Sequence, residues 1–195
     1  MTAEADDLPV SEATTEPNAG TERASGDLWV FGYGSLMWRP GFPFVERRHA
    51  HLHGYHRALC VFSHVHRGTR ERPGLVLGLD RGGRCHGVAF RVPAREADAT
   101  LQYLREREQV TAVYIERRLP VKLADGRRIE AIAYVVDRRH EQYAGRLAHD
   151  ELMRLIRQGV GISGANPDYV RSTHAHLLEM GVVDPILERI VRELG

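Results

Sequence analysis

Lysine, cysteine and aromatic residues are scarce in this sequence, and so are long apolar runs. Of 27 basic residues only Lys122 is a lysine, a bias that we attribute to genomic composition. The two cysteines, Cys60 and Cys85, lie in apolar strand-like runs, which predicts buried free thiols rather than a disulfide. No stretch approaches the roughly 20 apolar residues of a membrane-spanning helix, and the acidic N-terminus lacks the apolar core of a signal peptide. We therefore expect a soluble cytoplasmic protein with no membrane partner.

The charge is unevenly distributed along the chain. The formal net charge is +1, but residues 1–27 hold seven acids and one base, which leaves 26 bases and 19 acids, a net +7, in the remainder. A basic body suits an anionic ligand without identifying it. An RNA- or protein-binding barrel with no chemistry is one alternative. Aromatic residues are only 7% of the chain and do not interleave with basic ones, so we expect no nucleic-acid partner.

The first 26 residues differ from the rest. They are rich in Ala, Thr, Glu, Ser and Gly and show no hydrophobic period. Such a segment cannot bury enough apolar surface to offset the entropy of ordering. We predict a disordered acidic tail over residues 1–26 and a single domain over residues 27–195, which is long enough for one hydrophobic core.

Hydrophobic patterning predicts strands first and helices last. We expect strands at about 28–31, 49–62, 74–80, 85–92, 111–121 and 128–136, and helices at about 94–107, 148–158, 167–180 and 184–193. Asp125-Gly126 is typical of a hairpin turn, and Asn166-Pro167 and Asp184-Pro185 are typical helix starts. This order indicates an α+β fold, in which helices pack on a small curled β-sheet or barrel.

A glycine-rich turn follows the first predicted strand, with the sequence Gly32-Tyr33-Gly34-Ser35-Leu36. The two glycines permit positive φ and let a ligand approach the backbone closely. Successive N–H groups in such a turn can hold a carboxylate or an oxyanion. A tight turn that needs glycine for geometry alone is the simpler interpretation of these residues. A dinucleotide-binding fingerprint is not supported, because its third glycine would fall on Met37.

Two acids that could transfer protons lie in the run Arg105-Glu106-Arg107-Glu108, at the end of the first predicted helix. Charged runs at helix ends are usually solvated. Glu108, however, adjoins the apolar Val110, Ala112 and Val113, where helix gives way to strand. Burial there would raise the pKa of its carboxyl toward a range useful for proton transfer. The pattern does not separate Glu108 from Glu106.

Three other patterns suggest chemistry less strongly. His49, His51 and His53 alternate and so share one face of a strand, which suits zinc but also describes an ordinary solvent face; we expect no metal site. Ser35 follows a glycine, but the motif is Gly-x-Gly-Ser-Leu rather than the nucleophile motif of serine hydrolases. Tyr143 precedes Ala144-Gly145 in a loop, where its hydroxyl would either bind a ligand or cap the edge of the core.

Taken together, these segments resemble the ChaC family of glutathione-specific gamma-glutamylcyclotransferases. The similar segments occur in the family's order: Val30-Phe31-Gly32-Tyr33-Gly34-Ser35-Leu36, Trp38-Arg39-Pro40, Gly54-Tyr55-His56-Arg57, His66-Arg67-Gly68, Arg72-Pro73-Gly74, Gly87-Val88-Ala89, Tyr103-Leu104-Arg105-Glu106-Arg107-Glu108, Tyr143-Ala144-Gly145 and Ser163-Gly164-Ala165-Asn166. Residues 109–114 depart from the family, which often has paired glycines there. The resemblance implies a small β-barrel with flanking helices and identifies Glu108 with the catalytic glutamate.

The resemblance also implies a reaction. The α-amine of glutathione attacks its own γ-carbonyl, 5-oxoproline forms and cysteinylglycine leaves, with no metal or cofactor. Glu108 would act first as base and then as acid. The backbone amides of Tyr33, Gly34, Ser35 and Leu36 would hold the glutamyl carboxylate or the oxyanion, and Arg39 and Tyr143 would contact the substrate.

Two further alternatives stay open. An amide hydrolase that uses Ser35 would release free glutamate instead of 5-oxoproline. A cyclotransferase that acts on other gamma-glutamyl amides or peptides would share both fold and chemistry, and we consider it the stronger alternative.

Overall fold

The computed structural model describes residues 26–108 and 112–195. The predicted tail therefore lies outside the described residues, except for Gly26. The strands are β1 Leu28–Gly32, β2 Glu46–Ser63, β3 Gly74–Val92, β4 Tyr114–Leu123, β5 Arg128–Val136, β6 Val160–Gly161 and β7 Gly164–Ala165. The helices are α1 Ala97–Glu108, α2 His149–Gln158, α3 Asn166–Glu179 and α4 Pro185–Leu194, with short 3-10 turns at Ser35–Met37 and Ala94–Glu96. None of the described helices is long and apolar enough to cross a membrane.

Five strands close into a barrel in the order β1-β3-β2-β4-β5. The parallel pairing of β1 with β5, at Val30 and Ile132, completes the circle, while the other pairs are antiparallel. Along β2 the side chains alternate, so that Ala50 and Leu52 are fully buried whereas His49 is exposed. The inward-facing residues join the apolar faces of the helices in one large core. The predicted α+β class, with a small barrel and flanking helices, is confirmed.

The long hairpin of β2 and β3 forms much of the barrel, and the sequence pattern wrongly divides its second strand into two. The prediction of separate strands at 74–80 and 85–92 is wrong, because both segments belong to β3, which pairs with β2 along most of its length. Gly82 and Gly83 lie between them with φ of 102° and 68°, a region that glycine enters without steric cost. The strand therefore bends at the glycines without ending.

The helix starts of α3 and α4 are stabilised in different ways. Asp184 accepts hydrogen bonds from the backbone nitrogens of Ile186 and Leu187 at 3.2 and 3.1 Å, which confirms it as the N-cap of α4. Asn166 does not cap α3. Its side-chain oxygen accepts from the Leu75 nitrogen and its side-chain nitrogen donates to the Leu75 oxygen, both at 2.7 Å. The helix starts at Asn166-Pro167 as the sequence predicts, but the prediction that Asn166 caps it is wrong, because this buried amide pairs with β3 and so fastens α3 to the barrel.

The two cysteines are both buried and free, as the apolar runs around them predict. Burial raises the pKa of the Cys60 thiol to about 12 and also raises that of Cys85. Both sulfurs therefore stay protonated at neutral pH and behave as small apolar side chains of the core.

Candidate active site

A cavity of about 100 Å³ opens where the turn after β1 meets the end of α1. Tyr33, Gly34, Ser35 and Leu36 of the turn line it together with Glu108. The remaining wall comes from β3, β4, β5 and α3, through Val76, Leu77, Tyr114, Tyr134 and Tyr169. The fold thus brings the predicted amide turn and the predicted glutamate to one cavity. Ser35 of the turn and Arg107, the neighbour of Glu108, are 72 residues apart in the sequence and are hydrogen-bonded here.

The turn offers free backbone donors. The nitrogens of Met37 and Arg39 donate to the carbonyls of Gly34 and Ser35, each at 2.8 Å, and so close a short 3-10 turn. Among the described residues, the N–H groups of Gly34, Ser35 and Leu36 have no hydrogen-bond acceptor, as is usual for the first residues of a helical turn. They are available to an anionic oxygen of a ligand.

Neither glycine of the turn has a positive φ. Gly34 has a φ of −132° and Gly32 is not among the residues with positive φ, so the permissive conformation suggested by the sequence is not used. A Cβ on Gly32 would lie 3.0 Å from the Leu36 Cβ, which is tighter than ordinary contact. A Cβ on Gly34 would meet Leu77 Cδ1 at 3.6 Å, against a side chain that lines the cavity. Gly32 therefore lets the turn fold back, and Gly34 keeps the cavity open.

Arg57 of β2 anchors the peptide between Tyr33 and Gly34. Its Nε donates to the Tyr33 carbonyl at 2.6 Å, its Nη2 donates to the His86 carbonyl at 2.7 Å, and its Nη1 pairs with Asp184 at 3.3 Å. The side chain is only 6% exposed. In a trans peptide the carbonyl and the N–H point in opposite directions. The hydrogen bond from Arg57 to the Tyr33 carbonyl therefore also fixes the direction of the Gly34 N–H, which points away from Arg57.

Glu108 is the acidic residue among those that line the cavity, and its side chain is 18% exposed. Burial raises the pKa of its carboxyl, while the nearby Arg107 acts in the opposite direction without cancelling the effect. Glu106 is exposed, and its carboxylate accepts from Gln102 at 3.0 Å. The structure thus separates the two glutamates that the sequence pattern leaves equivalent.

Arg107 connects the glutamate to the turn. Its Nε lies 3.1 Å from Oε1 of Glu108, and its Nη2 donates to the Ser35 hydroxyl at 2.9 Å. Its Nη1 donates to the Tyr103 hydroxyl at 2.9 Å and to the Arg39 carbonyl at 2.6 Å. Sequence reasoning gave this residue no role, although Arg107 lies in the family-like segment that ends in Glu108.

The sequence profile of the family described as ChaC-like protein matches residues 28–195, the whole of the barrel and its helices. The chain belongs to the ChaC-like protein family. A relative from Escherichia coli (strain K12), named glutathione-specific gamma-glutamylcyclotransferase, is 38% identical over 82% of this chain and 69% of its own length. Human glutathione-specific gamma-glutamylcyclotransferase 1 is 34% identical over 83% of this chain and 76% of its own length.

A solved structure shows the same ChaC-like fold. The crystal structure of the yeast gamma-glutamyl cyclotransferase specific to glutathione superposes with a TM-score of 0.76, covering 86% of this chain and 95% of the yeast chain. The two sequences are 22% identical over this alignment, so the likeness bears on the fold alone.

Tyrosines from three separate elements form walls of the ChaC-like cavity that sequence reasoning missed. The Tyr114 hydroxyl donates to the Leu77 carbonyl at 2.7 Å, and the Leu77 nitrogen donates to the Tyr169 hydroxyl at 3.1 Å. Burial raises the pKa of Tyr33, Tyr114 and Tyr169, so these hydroxyls stay neutral and do not compete with the glutamate as a base. Each tyrosine sits in an ordinary apolar pattern, which carries no local signal of a site.

Two predicted substrate contacts are not among the residues that line this ChaC-like cavity. Arg39 is exposed, and it reaches the site through its backbone carbonyl, which accepts from Arg107. Tyr143 lines a different cavity, where its hydroxyl donates to Asp80 at 2.9 Å. Asp80 also accepts from Arg138 at 2.7 Å, so that the tyrosine belongs to a hydrogen-bonded network away from Glu108.

The alternating histidines take no part in the cavity of this ChaC-like chain. His51 stacks on His86 with ring centroids 4.5 Å apart, and neither lines the cavity. Over residues 26–108 and 112–195, no three His, Cys, Asp or Glu side chains form a group that could hold a metal ion. The Ser35 hydroxyl lines the cavity and accepts from Arg107, and no histidine is among its hydrogen-bond partners in the described part of the chain.

Proposed function

We propose that this ChaC-like protein cyclises the gamma-glutamyl group of glutathione and releases 5-oxoproline and cysteinylglycine. One observation carries the proposal: a carboxyl group whose pKa is raised by burial shares a small cavity with free backbone amides. A proton-transfer group and an anion-binding turn are the two devices that this reaction needs. The names of the relatives from Escherichia coli (strain K12) and human support glutathione as the substrate.

The cavity supports the proposal by its size. Cyclisation is intramolecular, so the main task is to hold the glutamyl chain folded back on itself, and such orientation can contribute about 7–11 kcal/mol. A cavity of about 100 Å³ is small, so it restricts the conformers of a group that enters it. The neutral tyrosine walls restrict water around the reacting atoms, which strengthens electrostatic interactions there.

Glu108 performs both proton transfers in the proposed mechanism. Its carboxylate takes a proton from the α-ammonium, and the freed amine attacks the γ-carbonyl carbon. The N–H groups of Gly34, Ser35 and Leu36 serve an anionic oxygen of the substrate, either the glutamyl carboxylate or the oxyanion. Glu108 then returns the proton to the departing amide nitrogen as its bond to carbon breaks. The ring nitrogen gives its remaining extra proton to the released amine, so that neutral lactam and the ammonium form of cysteinylglycine result. No water, metal or cofactor enters the balance.

Product analysis tests the proposal. Purified protein incubated with glutathione should form 5-oxoproline and cysteinylglycine in equal amounts, with the same rate after treatment with a chelator. Free glutamate in place of 5-oxoproline would indicate the Ser35 hydrolase instead. Faster turnover of other gamma-glutamyl amides would favour the broader cyclotransferase. We expect the reaction to take place in the cytoplasm, where free thiols such as Cys60 and Cys85 persist.

Ser35→Ala should weaken turnover by no more than about tenfold, the cost of roughly one hydrogen bond to a charged group. The hydroxyl accepts from Arg107 and shapes the turn, while the backbone N–H remains. Steady-state kinetics with glutathione measure the effect. Complete loss of activity in a folded protein would point to a serine that attacks or directly binds the substrate.

Gly34→Val should lower kcat/KM by more than Ser35→Ala does, because the added methyl groups enter the cavity beside Leu77. Gly32→Ala is the matched comparison, since its Cβ would crowd Leu36 and overpacking costs about 1–3 kcal/mol. Kinetics and thermal unfolding separate the two. Normal kinetics for Gly34→Val would show that no substrate atom approaches Gly34.

A further inference from the structure

A second cavity of about 190 Å³ adjoins the first. Val76, Glu108 and Tyr114 line both cavities. The carboxyl group of Glu108 therefore lies at the boundary between an inner cavity, at the amide turn, and an outer cavity, which extends toward the end of β2 and the residues that follow it. No step of the mechanism above uses the outer cavity.

The proposed reaction requires a carboxyl group at such a boundary. Glu108 must reach the attacking amine on one side of the scissile bond and the leaving nitrogen on the other. The two halves of the substrate must then extend to opposite sides of the carboxyl group. Cysteinylglycine is the larger half, and the outer cavity is about twice the volume of the inner one.

The linings of the two cavities also differ in the polar side chains that they offer. The inner cavity has backbone amides and tyrosines but no cationic side chain among its lining residues. The outer cavity is lined by Arg107, whose guanidinium already donates to Arg39, Tyr103 and Ser35, and by His64 and His66. Burial lowers the pKa of His64, so its imidazole acts as a neutral hydrogen-bond donor. Nδ1 of His66 is hydrogen-bonded to the Ser163 hydroxyl at 2.9 Å, so its other ring nitrogen remains for a ligand. These donors suit a carboxylate.

Valines supply much of the remaining lining of the outer cavity. Val61 and Val113 are almost fully buried there, and Val65 is 50% exposed at its edge. Gln142 donates to the Phe62 carbonyl at 2.8 Å and so fixes this wall to β2. A thiol-bearing methylene group packs favourably against such a surface.

We infer that the outer cavity binds the cysteinylglycine half of the substrate, with the thiol against the valines and the glycyl carboxylate at His64, His66 and Arg107. The inference rests on the proposed function and extends it. The outer cavity would then determine the specificity for glutathione over other gamma-glutamyl amides, because the inner cavity binds the glutamyl group that all of these substrates share.

A variant that introduces a negative charge tests the carboxylate contact. His64→Asp should lower kcat/KM for glutathione by about tenfold or more, the equivalent of about 1.4 kcal/mol. Turnover of the glutathione analogue whose glycyl carboxylate is an amide should change much less. His53→Asp is the matched control, since His53 is exposed on β2 and lines neither cavity; both substrates should react as with the unmodified protein.

A blocking variant tests the volume. Val65→Trp places a large side chain at a half-exposed position, so the core need not repack. KM for glutathione should rise about tenfold, while gamma-glutamyl methylamide, with a minimal leaving group, should be unaffected. Ile162→Trp is the control, because Ile162 is 80% exposed, lies beside Val65 through a 2.9 Å backbone hydrogen bond and lines neither cavity.

The outcomes test the inference and the proposed function separately. Selective loss of glutathione turnover in His64→Asp and Val65→Trp supports the inference. Equal loss on both members of either substrate pair, with the unmodified protein active, overturns the inference and leaves the proposed function intact. Absence of 5-oxoproline from every substrate with the unmodified protein overturns the proposed function and the inference with it.

Discussion

Glu108→Gln should lower kcat for 5-oxoproline formation by about 10²–10⁴-fold, the range typical of general acid–base catalysis. Glutamine keeps the size of the side chain and one acceptor oxygen, but it cannot take up the proton of the amine. The free amides of the turn remain, so glutathione should still bind. Rapid-quench product analysis gives kcat, and calorimetric titration gives the affinity.

Glu106→Gln is the internal control for this prediction. The Glu106 side chain is exposed and pairs with Gln102, so its loss should leave turnover nearly unchanged. Near-normal turnover in Glu108→Gln, or an equal loss in both variants, would contradict the assignment of the catalytic carboxyl group.

The raised pKa of Glu108 predicts two pH effects. Activity needs the carboxylate, so the acid limb of the kcat/KM profile should lie above the pKa of about 4.3 of an unperturbed glutamate, and it should vanish from any residual activity of Glu108→Gln. The folded state also binds this proton more tightly than the unfolded state does. Its stabilising contribution is therefore present at low pH and is lost as pH rises through the ordinary carboxyl range toward the raised pKa.

This linkage gives Glu108→Gln a second signature. At neutral pH the substitution removes a buried charge that disfavours folding, so the melting temperature should be at least as high as that of the unmodified protein. The difference should shrink as the pH falls and Glu108 becomes protonated. A lower melting temperature at neutral pH would show that the ion pair with Arg107 outweighs burial.

Arg57→Ala should destabilise the fold by about 3–5 kcal/mol, the usual cost of removing one partner from a buried charge network. The carbonyls of Tyr33 and His86 would lose charged donors, and Asp184 would lose its cationic partner. Urea denaturation measures the loss. The exposed Arg81 lies on the neighbouring strand β3, and Arg81→Ala should leave stability within about 0.5 kcal/mol.

The Arg57→Lys variant should stay folded, so that its kinetics can be measured. Lysine retains the charge but cannot reproduce the forked geometry of three partners. We expect kcat/KM to fall about 10-fold to 100-fold, as for a lost charged hydrogen bond, because the Gly34 N–H loses its fixed direction. A rise in KM alone would assign the turn amides to the glutamyl carboxylate, and a fall in kcat alone would assign them to the oxyanion. Unchanged kinetics would contradict the positioning role.

Sequence patterns predict most of the elements because local chemistry sets them. The Asp125-Gly126 turn joins β4 to β5, and the Asp184 cap starts α4, through interactions within a few residues. The failures involve distant partners. Asn166 resembles a helix cap until Leu75 of β3 is placed beside it, and the break expected in β3 at Gly82 disappears once β2 pairs with both halves.

The same distinction applies to the site. The amide turn and Glu108 carry short motifs that can be recognised in order along the chain, and the structure places them around one cavity. Tyr114 and Tyr169 reach that region only through barrel closure and helix packing, so no local pattern indicates them. Arg57 lies in a recognisable segment, but its role becomes visible only when β2 is placed beside the turn. Tyr143 shows the converse, because its motif is recognisable but its hydroxyl is bonded to Asp80 elsewhere.

Turnover of glutathione in water labelled with the heavy oxygen isotope tests the central claim most directly. Intramolecular cyclisation uses no water, so mass spectrometry should find unlabelled 5-oxoproline and unlabelled cysteinylglycine in equal amounts. Glutamate that carries one labelled oxygen would show that water attacks the γ-carbonyl, and it would contradict the account.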